Sequence, residues 1–391
     1  MSMVLAAGFL VVLIGGGARF AIGLTLKPIV DELGWPRSDV GLAVGLYFVV
    51  TAFATFWAGK LADRMSLRML LAGGLVISGI SVGMMGWMNA PWHALVLYGI
   101  VFAAGNGAIS TVPVGVMVTR AFTGRTGLAN AVVLSGITVG QLVIIMAFTA
   151  VLAAIGWRSV FFWLGVLHLV LLLVVMPVIP DERRAIARAA EAPQAGMDLR
   201  AAARTRQFWL FIGIFSVCGL DDFFVATHVV AFAQDRGVDA VLAGNLLASM
   251  GLTGTVGVIA GGWWGDRSGP VWPTVAAFSL RIAMFALIAV DQSPLSIAVF
   301  SLMFGVTFLV TAPLTVLFVR DAFGTRHLGA ITGIITMVHQ IFGGIGAYAG
   351  AAIFDATGRY DIAFFIVLAA TVVALILTLC LDRTPRQLAP A

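Results

Sequence analysis

Residues Gly59-Lys60-Leu61-Ala62-Asp63-Arg64-Met65-Ser66-Leu67-Arg68 form a short charged stretch between two long apolar runs. Its core, G-x-x-x-D-R, returns far downstream as Gly262-Trp263-Trp264-Gly265-Asp266-Arg267. The two aspartates are 203 positions apart, and the same offset pairs Phe20 with Phe223, Gly41 with Gly244 and Arg19 with Asp222. At an offset of 200, Thr111-Val112-Pro113 meets Thr311-Ala312-Pro313 and Arg120 meets Arg320; at 202, Gly156 meets Gly358. Loop insertions produce drifts of this size. The chain reads as one half written twice.

Composition says what solvent surrounds that repeat. Of 391 residues, 61% are apolar and 10% charged, and the mean hydropathy is +1.05. A water-soluble fold needs far more charge on its exterior, so the solvent is lipid. The first apolar stretch lacks a basic leader and runs directly into a spanning-length helix, which reads as an anchor and not a cleaved signal peptide. Cys218 and Cys380 lie in apolar runs without metal-like or disulfide-like spacing, so no metal and no cofactor is expected. The net charge of +5 is read as membrane orientation and not as a nucleic-acid surface.

Twelve apolar segments are long enough to cross about 30 Å of hydrocarbon. They are 4–32, 39–60, 68–90, 92–119, 126–154, 158–179, 207–234, 239–264, 271–290, 294–319, 327–354 and 361–381. The expected fold is an all-α integral membrane protein, two pseudo-symmetric six-helix bundles spanning 1–179 and 207–391. A cytoplasmic linker, 180–206, joins them; its Asp181-Glu182-Arg183-Arg184 start and Ala/Arg-rich continuation suit a surface helix. Lysines and arginines set the orientation. One set of connections carries Lys60, Arg64, Arg68, Arg120, Arg125, Arg267, Arg320 and Arg326, the linker adds six arginines, and the tail adds Arg383 and Arg386. The other side has only Lys27, Arg37, Arg158, Arg236 and Arg359. Both termini are therefore expected in the cytoplasm, in a bacterial inner membrane, and the chain is expected as a monomer.

No Walker loop, zinc spacing or nucleophile elbow occurs, so the chain does not read as an enzyme. Attention falls on the few ionisable residues at membrane depth, each costly enough to need a reason: Arg19, Asp221, Asp222 and Arg281, with His168, His228 and His339. Asn106, Gln141 and Gln340 are polar neighbours at comparable depth. Asp221 and Asp222 point about 100° apart on a helix and cannot share a face. Asp221 is expected to pair with Arg281 as structure, with direct contact of Arg281 to a ligand as the alternative. His228 suits either a proton relay or hydrogen-bonded packing, and His168, in a Leu/Val-rich stretch, reads as packing. At the G-x-x-x-D-R loop, Asp63 sits at a helix end, where it can accept hydrogen bonds from neighbouring arginines or from a helix N-terminus.

The G-x-x-x-D-R-x-x-x-R stretch and its degraded copy resemble the signature loop of the major facilitator superfamily. The resemblance covers nearly the whole chain and implies a secondary transporter working by alternating access, with small-molecule substrate and protons as partners in the bilayer. It also implies that Gly59, Asp63, Arg64, Arg68, Asp266 and Arg267 form a latch that steadies one conformation. In that family the positions of Arg19 and Asp222 flank the central cavity. There they can neutralise each other, or the arginine can hold an anion while the aspartate takes a proton. The family likeness places Arg281 on a peripheral helix. It places Gln141, His339 and Gln340 on cavity-lining ones, where substrate contact is expected of at least one.

Three further stretches resemble the branch of monocarboxylate transporters and oxalate/formate antiporters. They are Gly23-Leu24-Thr25-Leu26-Lys27-Pro28 with Glu32-Leu33-Gly34-Trp35-Pro36-Arg37, Arg125-Thr126-Gly127-Leu128-Ala129-Asn130, and Thr227-His228-Val229-Val230-Ala231-Phe232. This implies a small organic anion, a monocarboxylate, moved with protons. Carriers of that branch tend to place an arginine within helix eight. Here Gly251-Leu252-Thr253-Gly254-Thr255-Val256 carries no cation, so anion binding falls on Arg19 or Arg281. A proton-driven exporter of drug-like or cationic compounds, with Asp221 and Asp222 as its cation sites, is the competing expectation.

Overall fold

A computed structural model describes residues 2–62, 65–121, 132–133, 135–179, 196–324 and 327–382. Eleven helices in it are long and apolar enough to cross a membrane. The longest, Gly136–Val175, counts as two, because Gly156 sits at φ 72° and ψ 161° and turns the chain back on itself. Only a residue without a Cβ adopts that backbone cheaply. In chain order the spans are Met3–Leu33, Arg37–Ala62, Leu67–Trp87 and Pro91–Val118, then the two arms 136–155 and 157–175. Arg206–Asp235, Ala240–Ser268, Val271–Val290, Pro294–Phe323, Leu328–Thr357 and Asp361–Leu379 follow. They are called spans one to twelve. The described part of the linker, 196–206, holds the short helix Leu199–Ala203, whose first turn is capped by the Asp198 carboxylate accepting from Ala201 N at 2.6 Å.

The repeat written in the sequence reappears as matched breaks. Span four is interrupted at Ile109–Ser110 and span ten at Leu309–Val310, each just before a Thr-x-Pro. Pro113 and Pro313 have no N–H to return to the carbonyls of Ile109 and Leu309, and their rings crowd those carbonyls, so the helix opens there in both halves. Span one departs from its expected single helix: it is broken at Arg19–Phe20 into Ser2–Ala18 and Ala21–Leu33.

Small residues let the spans pack backbone to backbone, as helices in lipid require. Across the two halves, a Cβ on Gly45 of span two would lie 3.0 Å from the Gly344 carbonyl of span eleven. One on Gly23 of span one would lie 2.5 Å from the Ala226 carbonyl of span seven. Spans five and eight are joined by Gln141 Nε2 donating to Leu247 O at 2.9 Å and Thr255 Oγ1 to Thr138 Oγ1 at 2.7 Å.

One end of the bundle is also tied by charge. The Arg37 guanidinium, at the start of span two, donates to both Asp235 oxygens (2.7 and 2.9 Å) and to Tyr360 Oη (2.9 Å), and it lies 3.7 Å from the Phe354 ring centroid. Asp355, near the end of span eleven, accepts from the Arg37 and Ser38 backbone N–H groups at 2.9 and 2.6 Å. A carboxylate of one half thus caps a helix of the other, answering the unpaired donors and positive end of its first turn. All these contacts lie at the end carrying the 34–37 and 357–361 connections. At the opposite end of span eleven, Gly329 and Gly333 have open space where a Cβ would sit.

Candidate functional site

The break in span one exposes backbone carbonyls at mid-membrane, where no water is at hand to receive them. Span four supplies the partners: Tyr98 Oη donates to Arg19 O at 2.8 Å and Asn106 Nδ2 to Gly15 O at 2.9 Å. Asn106 Oδ1 in turn accepts from Tyr47 Oη at 3.1 Å, and Tyr47, Tyr98 and Phe102 stack on one another. Asn106, a candidate for substrate contact by sequence, thus has both ends of its amide engaged in holding the broken helix.

The break turns the Arg19 side chain towards the seam between the halves. Its guanidinium lies 4.7 Å from the Phe20 ring centroid and 5.7 Å from that of Phe223. Its Nε is buried without a hydrogen-bond acceptor, and among the described residues no carboxylate lies within ion-pair distance of it. A small cavity of about 10 Å³, room for roughly one water, sits here, lined by Arg19, Phe20, Phe48, Tyr98, Phe223 and Thr227 among others. Of the two readings open for these positions, mutual neutralisation of Arg19 and Asp222 in an ion pair is not found here.

Asp222 has turned instead to Arg281. Arg281 Nη2 is 2.6 Å from Asp222 Oδ1 and Nη1 is 3.7 Å from Asp221 Oδ2, all three side chains being 0–1% exposed. The expected Asp221–Arg281 pair is therefore present but is the longer of two. Arg281 points inward from span nine and is fully buried. Its Nε donates to Thr307 Oγ1 at 3.0 Å and Nη2 to Thr307 O at 2.9 Å, the latter carbonyl lying just before the break in span ten. Asp221 Oδ2 accepts from Thr371 Oγ1 at 2.9 Å, while its Oδ1 is buried without a partner. His339 Nε2 lies 3.3 Å from Asp222 Oδ2, and the His339 side chain is 14% exposed.

Two carboxylates and one guanidinium, all out of water, leave an unbalanced negative charge when both acids are ionised, and burying such a charge is expensive. Cys218 Sγ, Asp222 and His339 bring one candidate metal-ligand atom each within 4.8 Å of one another. Arg281 already neutralises Asp222 there, and a divalent ion would set like charge beside its guanidinium.

The remaining sequence candidates are dispersed. His228 is fully buried in the sealed end. Its Nε2 lies 2.8 Å from Ala347 O, so that nitrogen carries the proton, and Nδ1 accepts from Tyr360 Oη at 3.1 Å, the hydroxyl that Arg37 also reaches. Gln141 lies on the seam between spans five and eight, with Oε1 buried and unpartnered. Gln340, beside His339, is half-buried. His168 is buried with Nδ1 on Leu164 O at 2.8 Å and its ring edge-on to Phe102, a packing position. Of the latch residues, Gly59 packs on Val112, Arg68 and Asp266 are exposed, and Arg267 lies over Trp263 at 3.9 Å. Asp63 and Arg64 lie outside the described residues.

Sequence reading missed Thr307 and Thr371, which hold the acid cluster, and Arg37 with Asp235, Asp355 and Tyr360, which tie the halves. Arg37 counted towards orientation and towards the Glu32–Arg37 resemblance; its place directly after Gly34-Trp35-Pro36, at a helix start, is the one local signal of a fixed setting.

Comparison with known proteins agrees with this fold. A Bacillus subtilis (strain 168) protein described as uncharacterized MFS-type transporter YcxA is 25% identical, over 87% of each chain. Monocarboxylate transporter 13 of Bos taurus is 23% identical over 93% of this chain and 85% of its own. Among solved structures, a bacterial homolog to the human lysosomal transporter Spinster, in an inward-facing and occupied conformation, superposes with a TM-score of 0.82. It shares 16% identity and covers 98% of this chain and 97% of that one. The family model for the Major Facilitator Superfamily matches residues 8–227 and again 217–391. With its twelve spans, its repeat and its charged seam, the chain is a multi-pass membrane protein of the Major Facilitator Superfamily, a family of secondary transporters and not of enzymes.

Proposed function

We propose that this protein moves a small organic anion, a monocarboxylate, together with protons across the bacterial inner membrane by alternating access. The observation that carries the reading is Arg19: a guanidinium at mid-membrane, at a helix break on the seam, with no carboxylate among the described residues within ion-pair distance. An unpaired cation at that depth is costly unless a ligand supplies the counter-charge. The proton's seat is the Asp221–Asp222–Arg281–His339 cluster, where two carboxylates share one guanidinium. The two units are 1–179 and 207–391 with 180–206 between them, both termini cytoplasmic. In this reading the end tied by Arg37 is the outer one. The protein works as a monomer.

The test is internal pH in proteoliposomes as lactate, pyruvate or formate is added outside. Acidification above protein-free vesicles is expected, abolished in Arg19→Ala. In Asp222→Asn, labelled anion still enters without acidification. Normal anion uptake by Arg19→Ala protein refutes the assignment. Loss of protons from acidic vesicles on adding an amphipathic cation, with no response to anions, replaces it with the exporter reading.

A further inference from the structure

Phe48 of span two and Phe223 of span seven belong to opposite halves, yet their rings meet with centroids 3.9 Å apart and planes inclined by 36°. Both are buried, and both line the cavity that Arg19 enters. Gly343 of span eleven makes the room for Phe223, since a Cβ there would collide with its ring. The cavity therefore offers three things at once: one guanidinium, a pair of apolar rings contributed by opposite halves, and few other polar groups. Tyr98 has already given its hydroxyl hydrogen to Arg19 O, and Thr227 is the other hydroxyl-bearing residue on the lining.

Resting on the anion reading above, the geometry points to a narrower substrate class: a monoanionic carboxylic acid with a planar apolar or aromatic tail. Its carboxylate pairs with Arg19, and its ring enters between Phe48 and Phe223. A second carboxylate would be buried without a cation, since Arg281 is already held by Asp221 and Asp222. A polyhydroxylated ligand would leave hydroxyls unpaired against phenyl rings. A flat tail exchanges one ring stack for two, with offset or tilted geometries that aromatic pairs favour. The same clasp reaches the acid cluster: the Phe223 ring centroid is 5.5 Å from that of His339, which sits on Asp222. A ligand that displaces Phe223 therefore presses on the group facing the proton's seat.

The experiment is calorimetric titration of the purified full chain with benzoate, phenylacetate, lactate and succinate. Benzoate or phenylacetate is expected to bind at least tenfold more tightly than lactate, succinate to give no heat, and Arg19→Ala to abolish every signal. In Phe48→Leu and Phe223→Leu, whose folding is checked by unfolding temperature, the preference for the aromatic acid over lactate is expected to disappear. Arg19-dependent lactate binding as tight as that of benzoate overturns this inference and leaves the anion reading standing. An aromatic preference that survives in both leucine variants also overturns it. No heat from any of the four acids overturns both.

Discussion

Removing the Arg37 side chain should open the sealed end. The guanidinium forms a forked pair with Asp235, donates to Tyr360 Oη and stacks on Phe354, and its side chain is only 6% exposed. Truncation leaves Asp235, 21% exposed, with only the longer contact from Lys27 at 3.6 Å. A charge-assisted hydrogen bond contributes about 1.5–3 kcal/mol, and breaking a fully buried pair costs about 3–5 kcal/mol. Because Asp235 keeps some water and the Asp355 caps on the Arg37 and Ser38 backbone survive truncation, about 2–3 kcal/mol is the working figure. These contacts join the two halves, so they exist only while this end is shut. Their loss shifts the conformational equilibrium by roughly 30- to 150-fold towards the alternative state. Spin labels at the exposed Asn89 and Ala240, one in each half, report the separation by double electron–electron resonance. Arg37→Ala should add a longer distance population, and Arg37→Lys, which keeps charge but not the fork, a smaller one. An unchanged distance distribution in Arg37→Ala would refute the argument that charge holds this end closed.

Three further outcomes follow from particular contacts. Arg281→Met should destabilise the fold by about 3–5 kcal/mol, since it strands two buried carboxylates; the double variant with Asp222→Asn should lose less than the two single losses combined, read by thermal unfolding in detergent. Gly219→Ala should cost about 1–3 kcal/mol, because its Cβ would drive into the His339 carbonyl and push span eleven off span seven; an unshifted unfolding midpoint would contradict that packing. Outside the membrane, hydrogen bonds from the Ser296 hydroxyl and from the Ser293 backbone and hydroxyl hold the Asp291 carboxyl below its ordinary value. A depressed carboxyl stabilises the fold above its unfolded pKa and loses that contribution as pH falls through its folded one. Ser296→Ala should therefore be less stable than the parent at neutral pH and indistinguishable from it in strong acid; a difference independent of pH would exclude Asp291 as its source.

The twelve spans, the duplication and the family were legible in the chain because each rests on information local to a segment. Apolar length decides whether a helix crosses the bilayer. The paired Thr-x-Pro motifs were legible as part of the repeat, though the helix breaks that their missing N–H groups cause were not read from them. Arg19, Asp222 and Arg281 stood out by the cost of charge at that depth. Of their partners, only the Asp221–Arg281 pair was read from the sequence. Helical periodicity says that Asp221 and Asp222 face different ways, but not which neighbour each way leads to.

The amino-acid sequence by itself determined a doubled, lipid-solvated helical bundle and the short list of residues whose burial needs a reason. Tertiary structure alone decided that Arg281 takes both aspartates, that Arg19 is left facing a ring-lined seam, and that Asp355 caps a helix of the other half. The physical reason is that a span's hydropathy is indifferent to rotation about its own axis. That rotation is set by where glycines such as Gly23, Gly45 and Gly219 let backbones touch, and it turns each charge towards the partner that packing has placed there.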